Sequence, residues 1–223
     1  NIFYFLTAEG RWAGYTYEGG DRFVQAASSF IPEGEGLLGA MAPGDVACSI
    51  TQTGDLQCHP LDSDNPDPMG LISAMPQGGP FIQIDGFSDF YCALSIGGKI
   101  DCWGHVPERS SWSPEVEDFF DAQFIAMTVN EFEVCGLYAS TGRVRCVQAD
   151  QNIGYHGIYD GTFGPGYETL SYGYIEKPTV CVRNSEGDTK CLPQSGEQLI
   201  QGRFKDMSYS DELLCAVDMD GQI

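Results

Sequence analysis

One hairpin pattern recurs along this chain and constrains it more than any other feature. Ala47-Cys-Ser-Ile-Thr-Gln-Thr-Gly-Asp-Leu-Gln-Cys-His59 and Tyr91-Cys-Ala-Leu-Ser-Ile-Gly-Gly-Lys-Ile-Asp-Cys-Trp103 share one form, which returns at Cys135 to Cys146, at Cys181 to Cys191 and from Cys215 onward. A cysteine-free version opens the chain at Tyr4 to Gly14. The turn glycines Gly10, Gly54, Gly98, Gly142 and Gly187 recur about every 44 residues, and Gly221 follows sooner. Self-similarity at that period marks a stack of supersecondary units, none of which buries its apolar face alone. An aromatic residue with an apolar one three positions later precedes most hairpins: Phe81/Ile84, Phe124/Met127, Tyr167/Leu170 and Phe204/Met207. Each unit therefore reads as one strand, a hairpin and a variable connection.

The spacing inside the hairpin predicts its register. With Gln52-Thr53-Gly54 as a three-residue loop whose last position is left-handed, Gly is the residue that fits without a Cβ clash. Thr51 then faces Asp55 and Cys48 faces Cys58, at a non-hydrogen-bonded pair where Cα atoms come to about 4.5 Å. The same count pairs Cys92 with Cys102 and Cys181 with Cys191, and a four-residue loop at Ala139 to Gly142 pairs Cys135 with Cys146. Alternation by two puts Cys48, Ile50, Leu56 and Cys58 on one face; in the opening unit that face carries Tyr4, Leu6, Trp12 and Gly14. Bridges in nearly every unit point to an oxidising compartment, since cytosolic thiols are kept reduced.

Composition agrees with short strands and tight turns: 28 Gly, 12 Pro, 13 Phe, 11 Tyr and 3 Trp. The net charge of −21 would repel a phosphate backbone, which is bound through Lys and Arg. Nucleic acid and anionic membranes are thus unfavourable partners, and basic protein surfaces are favourable ones. No apolar run reaches the ~18 residues of a membrane span.

The segment Phe81-Ile-Gln-Ile-Asp-Gly-Phe-Ser-Asp-Phe-Tyr-Cys-Ala-Leu-Ser-Ile-Gly-Gly-Lys-Ile-Asp-Cys-Trp-Gly104 resembles the regulator-of-chromosome-condensation repeat superfamily. It is most similar to the secreted branch with two cysteines per repeat, as in the ectodomains of crinkly-type plant receptor kinases. The Trp-Gly after the second cysteine is absent from the other units. The resemblance implies a β-propeller, usually of seven blades, whose loops bind other proteins. The basic surface suited to chromatin is missing here, so an exchange-factor role does not carry over. An open β-solenoid of hairpins is the alternative architecture, because periodicity does not show ring closure.

Few residues present themselves for chemistry. Gly34-Glu-Gly-Leu-Leu-Gly39 has the spacing of a dinucleotide fingerprint, but Pro43 comes too early for the helix that motif requires. His59, His105 and His156 fall in connections, without a nucleophile elbow or metalloprotease motif beside them. Cysteines ten or eleven apart across a hairpin suit bridges, not zinc. Asp62, Asp64, Asn65 and Asp67 form a candidate calcium loop, lacking the usual turn glycine. Glu115, Glu117, Asp118 and Asp121 form an acidic group that reads as a solvated connection. Trp103, His105 and Trp112 are the candidate binding residues, in a connection that reaches a surface; the competing reading has Trp103 packed between units.

The expectation is one all-β repeat domain over residues 1–223, an incomplete propeller with hairpins near 4–14, 48–58, 92–102, 135–146, 181–191 and 215–223. Superposing Cys215 on Cys92 puts a second cysteine two residues beyond Ile223, so the sequence is expected to stop inside a longer protein whose missing part pairs Cys215. The expected role is a secreted, extracellular or cell-surface recognition or assembly module that binds a protein partner and catalyses nothing. A secreted glycan-binding lectin is the alternative. No cofactor is expected beyond calcium.

Overall fold

The computed structural model describes residues 2–6, 12–17, 23–25, 39–41, 45–61, 64–106, 113–130, 133–150, 154–175, 177–193, 200–210 and 213–218. The expected hairpin tip at Gly221 and the segments holding Asp62, Trp112 and Gly34 lie outside them. The chain forms two compact units, Asn1–Val106 and Pro107–Ile223.

The first unit holds three antiparallel sheets in chain order: β1 (Ile2–Leu6), β2 (Trp12–Tyr17) and β3 (Phe23–Gln25); β4 (Gly39–Met41), β5 (Val46–Ile50) and β6 (Leu56–Pro60); β7 (Phe81–Phe87), β8 (Phe90–Ser95) and β9 (Ile100–Gly104). Register follows the glycine turns. Tyr4 lies opposite Gly14, Cys48 opposite Cys58 and Cys92 opposite Cys102. The amides of Thr51 and Gly54 bond back to Asp55 O at 3.0 Å and Thr51 O at 2.9 Å, closing the three-residue loop.

The second unit begins with a helix, α1 (Pro114–Asp121), started by Ser113 and a first-turn proline and carrying Glu115 and Glu117 in its first turn, where the dipole favours acids. Its Val116, Phe119 and Phe120 are buried, while Glu115, Glu117, Asp118 and Asp121 are exposed. A four-stranded sheet follows: β10 (Ala126–Asn130), β11 (Glu133–Leu137), β12 (Arg143–Asp150) and β13 (Gly154–Thr162). Then come β14 (Thr169–Ile175), β15 (Lys177–Arg183), β16 (Asp188–Pro193), β17 (Ile200–Ser210) and β18 (Leu213–Asp218). The long β17 pairs with β16 through Arg203 and, past an irregularity after Phe204, with β18.

Disulfides join Cys48–Cys58, Cys92–Cys102, Cys135–Cys146 and Cys181–Cys191, with Cα separations of 4.1, 4.0, 3.9 and 4.0 Å. In each unit the cystine face of one sheet packs on the next sheet. Val46, Cys48, Ile50 and Cys58 meet Phe81, Ile84, Tyr91, Ala93 and Trp103 in the first unit. Cys135, Leu137, Val144 and Cys146 meet Leu170, Val180 and Val182 in the second. Among these, a fully buried Val, Ile, Leu or Phe side chain contributes about 1.5–3 kcal/mol. The positions aligned as Ile84, Met127, Leu170 and Met207 all lie opposite the residue after the first cysteine of their hairpin.

A backbone hydrogen bond fastens three of the turn glycines, to the next sheet in the first case and to or just beyond a later strand of the same sheet in the other two. Gly54 O accepts from the amide of Phe81 at 2.8 Å, Gly142 O from Phe163 at 2.9 Å and Gly187 O from Phe204 at 2.9 Å. In the third case and the first, the donor is the repeat's aromatic position. In the second, Phe163 takes that place ahead of Tyr167, whose ring lies edge-on 6.3 Å away.

Candidate functional site

Two polar sites emerge from the sheets, one in each unit. In the first unit, Trp103 is 3 % exposed and stacks on Tyr91 with ring centroids 5.5 Å apart. The two face each other across β8 and β9, and the Tyr91 hydroxyl donates 3.2 Å to Val46 O on the neighbouring sheet. Burial raises the Tyr91 hydroxyl well above the ordinary tyrosine range. Trp103 is thus a core residue. His105, just past β9, is half-exposed; its amide bonds Asp89 O at 2.9 Å and its Nδ1 stands 3.5 Å from Asp89 Oδ2. Trp112 lies outside the described residues.

Asp67 serves its own turn. Its carboxylate accepts from the amides of Ile72 at 2.8 Å and Ser73 at 3.3 Å, and the Ile72 bond holds the carboxyl below the usual range. Among the described residues, no group of three or more His, Cys, Asp and Glu side chains is placed to hold a metal ion. No described helix is long and apolar enough to cross a membrane.

The second site is a cleft of about 420 Å³ lined by Tyr167, the turn at Asn184 and the β16 and β17 strands. Cross-strand pairing sets up its floor: Val182 lies opposite Lys190, Lys190 opposite Gln201, and Asp188 opposite Arg203. One face of this sheet therefore changes character along its width. The β14 and β15 end gives Leu170, Val180 and Val182 to the core, and the β16 and β17 end gives Asp188, Lys190, Gln201 and Arg203 to the cleft.

The turn orders the cleft wall. Asn184 Oδ1 accepts from the amides of Glu186 at 3.0 Å and Asp188 at 2.8 Å, while its Nδ2 donates 3.2 Å to Asp188 Oδ2. Arg203 donates through Nη2 at 2.7 Å and Nε at 3.2 Å to Glu186 O, and its Nε sits 3.4 Å from Asp188 Oδ1. Lys190 Nζ lies 5.5 Å from the centre of the Tyr167 ring. Such a contact favours the cation modestly at an exposed site.

Sequence reading passes over this cleft. Tyr167 reads as the repeat's aromatic position, and Lys190 sits inside a hairpin beside Cys191. Its cations, Lys190 and Arg203, lie far along the chain from Tyr167, so no local motif joins them.

Neither a protein-family model nor a curated protein matches the sequence. Solved structures do. Yeast RCC1 (Prp20), in a structure with Kap60 bound, is 11 % identical with a TM-score of 0.57, over 98 % of this chain and 66 % of that one. A structure of Prp20p from Saccharomyces cerevisiae gives 10 % identity and a TM-score of 0.56, over 98 % of this chain and 68 % of that one. Human WBSCR16 gives 12 % and 0.51, over 89 % of this chain and 61 % of that one. The chain thus spans under two thirds of the length of WBSCR16 and of Kap60-bound Prp20. At such identities the likeness concerns architecture: the chain has an all-β, RCC1-like repeat fold built of small antiparallel sheets.

Proposed function

We propose that this chain is a non-catalytic recognition or assembly module that works outside the cytosol and binds a protein partner. The observation that carries the reading is the staple repeated in successive hairpins: four cystines hold the strands while the connections between them differ in length and content. A rigid repeat scaffold with variable connections suits recognition, because loops can diverge without disturbing the core. Persisting disulfides call for an oxidising compartment. The fold neighbour Prp20 binds Kap60 in one structure and has binding properties to Gsp1p and histones in another; those are that protein's partners. The net charge of −21 here favours a partner with a basic surface.

Glycan binding is the second reading. The cleft favours it by setting the Tyr167 ring among Asn184, Asp188 and Gln201.

The test is purification from the native source without reductant, followed by light scattering and intact mass. A stoichiometric complex with a second protein, with all four bridges present, is expected. A protein recovered with reduced thiols, or alone and binding immobilised glycans competed by free sugar, would overturn the leading reading.

A further inference from the structure

We infer that the cleft beside Tyr167 receives an acidic side chain from a partner protein, with Lys190 as its charge partner. The inference rests on the protein-binding reading above and adds the chemistry of one contact, a single acidic side chain within an otherwise basic partner surface.

The polar groups of the cleft divide by what they already do. The acceptors are engaged: Asn184 Oδ1 holds two turn amides, Asp188 receives Asn184 and Arg203, and Glu186 O receives both Arg203 bonds. Arg203 is thereby committed to neutralising its own wall. The Lys190 ammonium and the Tyr167 hydroxyl, by contrast, have no hydrogen-bond acceptor among the described residues. What remains to be bound is an acceptor, and an ammonium favours an anionic one.

Shape narrows the class. Lys190 reaches the ring of Tyr167 on a floor continuous with Val182, so a carboxylate presented on a short methylene stem meets the ammonium while its stem lies against the ring. A neutral sugar would leave the Lys190 ammonium without the anionic acceptor it favours. Lys190 is a single point charge, which one carboxylate suffices to neutralise.

The experiment uses the full chain with its disulfides intact and follows side-chain NMR signals of Lys190 and Tyr167. The probes are acetyl-Gly-Glu-Gly-amide, acetyl-Gly-Gln-Gly-amide and glucuronate. The Glu peptide should give saturable shifts at both residues, with the Gln peptide binding at least about threefold more weakly, as befits one exposed charge pair. K190M should lower Glu-peptide affinity by a similar factor, K190R should retain it, and added salt should weaken it. Equal binding of the two peptides, binding of glucuronate in place of the Glu peptide, or an unaltered K190M would overturn the inference. If the peptide fails while the native complex still forms in light scattering, this site falls and the partner reading stands.

Discussion

The carbonyl of Gly54 accepts a 2.8 Å hydrogen bond from the amide of Phe81, so the turn of one hairpin is fastened to the first strand of the next sheet. The turn needs a glycine twice over. Its φ is +85°, and a Cβ there would stand 2.4 Å from Cβ of Pro80. Gly54→Ala should therefore lower stability by about 2 kcal/mol or more, combining left-handed strain with the displaced strand. Gly97→Ala, where the nearest atom is 3.8 Å away, is the control and should change little. Urea unfolding of both variants checks this, and equal stabilities would show that the fastening contributes nothing.

Removing one staple should be measurable by itself. The Cys48–Cys58 bridge closes a loop of sequence separation 10, for which chain entropy gives about 3 kcal/mol. The double substitution of Cys48→Ala and Cys58→Ala should cost about that, with further loss from packing since Cys48 is fully buried. Chemical denaturation without reductant, compared with the parent chain, gives the number.

Tyr91 makes stability sensitive to alkali. Burial raises its hydroxyl above the ordinary value of 10.0, so above that pH the unfolded state releases a proton that the folded state keeps. The contribution is complete below pH 10 and is lost as pH rises from there towards the folded value. Tyr91→Phe should cost about 1 kcal/mol at neutral pH through the lost bond to Val46 O, and should flatten the decline above pH 10. Thermal unfolding from pH 8 to 11 is the measurement, and parallel curves for the two proteins would contradict it.

Arg143 and Asp160 form a paired fork across β12 and β13, and the guanidinium holds the Asp160 carboxyl below the ordinary range. Both side chains are about half-exposed, so solvent screens the pair. Asp160→Asn should cost under about 1 kcal/mol near neutrality. Because the folded value is depressed, the contribution exists above the unfolded carboxyl range and vanishes as pH falls through the folded one. The variant and parent should therefore converge in stability at acid pH.

Hairpin register was legible in the sequence because a left-handed glycine fixes the turn and every position then follows by counting. Thr51 closing on Asp55 and Ser95 closing on Lys99 follow from that rule alone. The outer strand β13 was not legible, since Gly154-Tyr-His-Gly-Ile-Tyr-Asp-Gly-Thr162 has three glycines and little alternation. Its place against β12 depends on tertiary pairing. Helix α1 did carry local signals, Ser113 before Pro114 and acids in the first turn, but its acidic residues drew the reading towards a solvated connection. Half of that reading describes the helix, whose acids do face solvent while Val116 and Phe119 do not. The cleft at Lys190 was invisible because it needs the face of one sheet to switch from apolar to polar at β16, a property of pairing and not of any segment.

The cystines also have a mechanical consequence. Each joins strands whose Cα atoms are about 4 Å apart while enclosing a sequence separation of 10 or 11 residues. A pulling force transmitted along the chain would pass through the sulfur bridge and leave the enclosed loop slack. About 30 Å of contour per hairpin, at roughly 3.3–3.6 Å per residue, is thereby withheld from extension until the bridge is reduced. Under tension the repeats would lengthen in two regimes, first by separating sheets and later, only with a thiol present, by paying out the hidden loops one at a time.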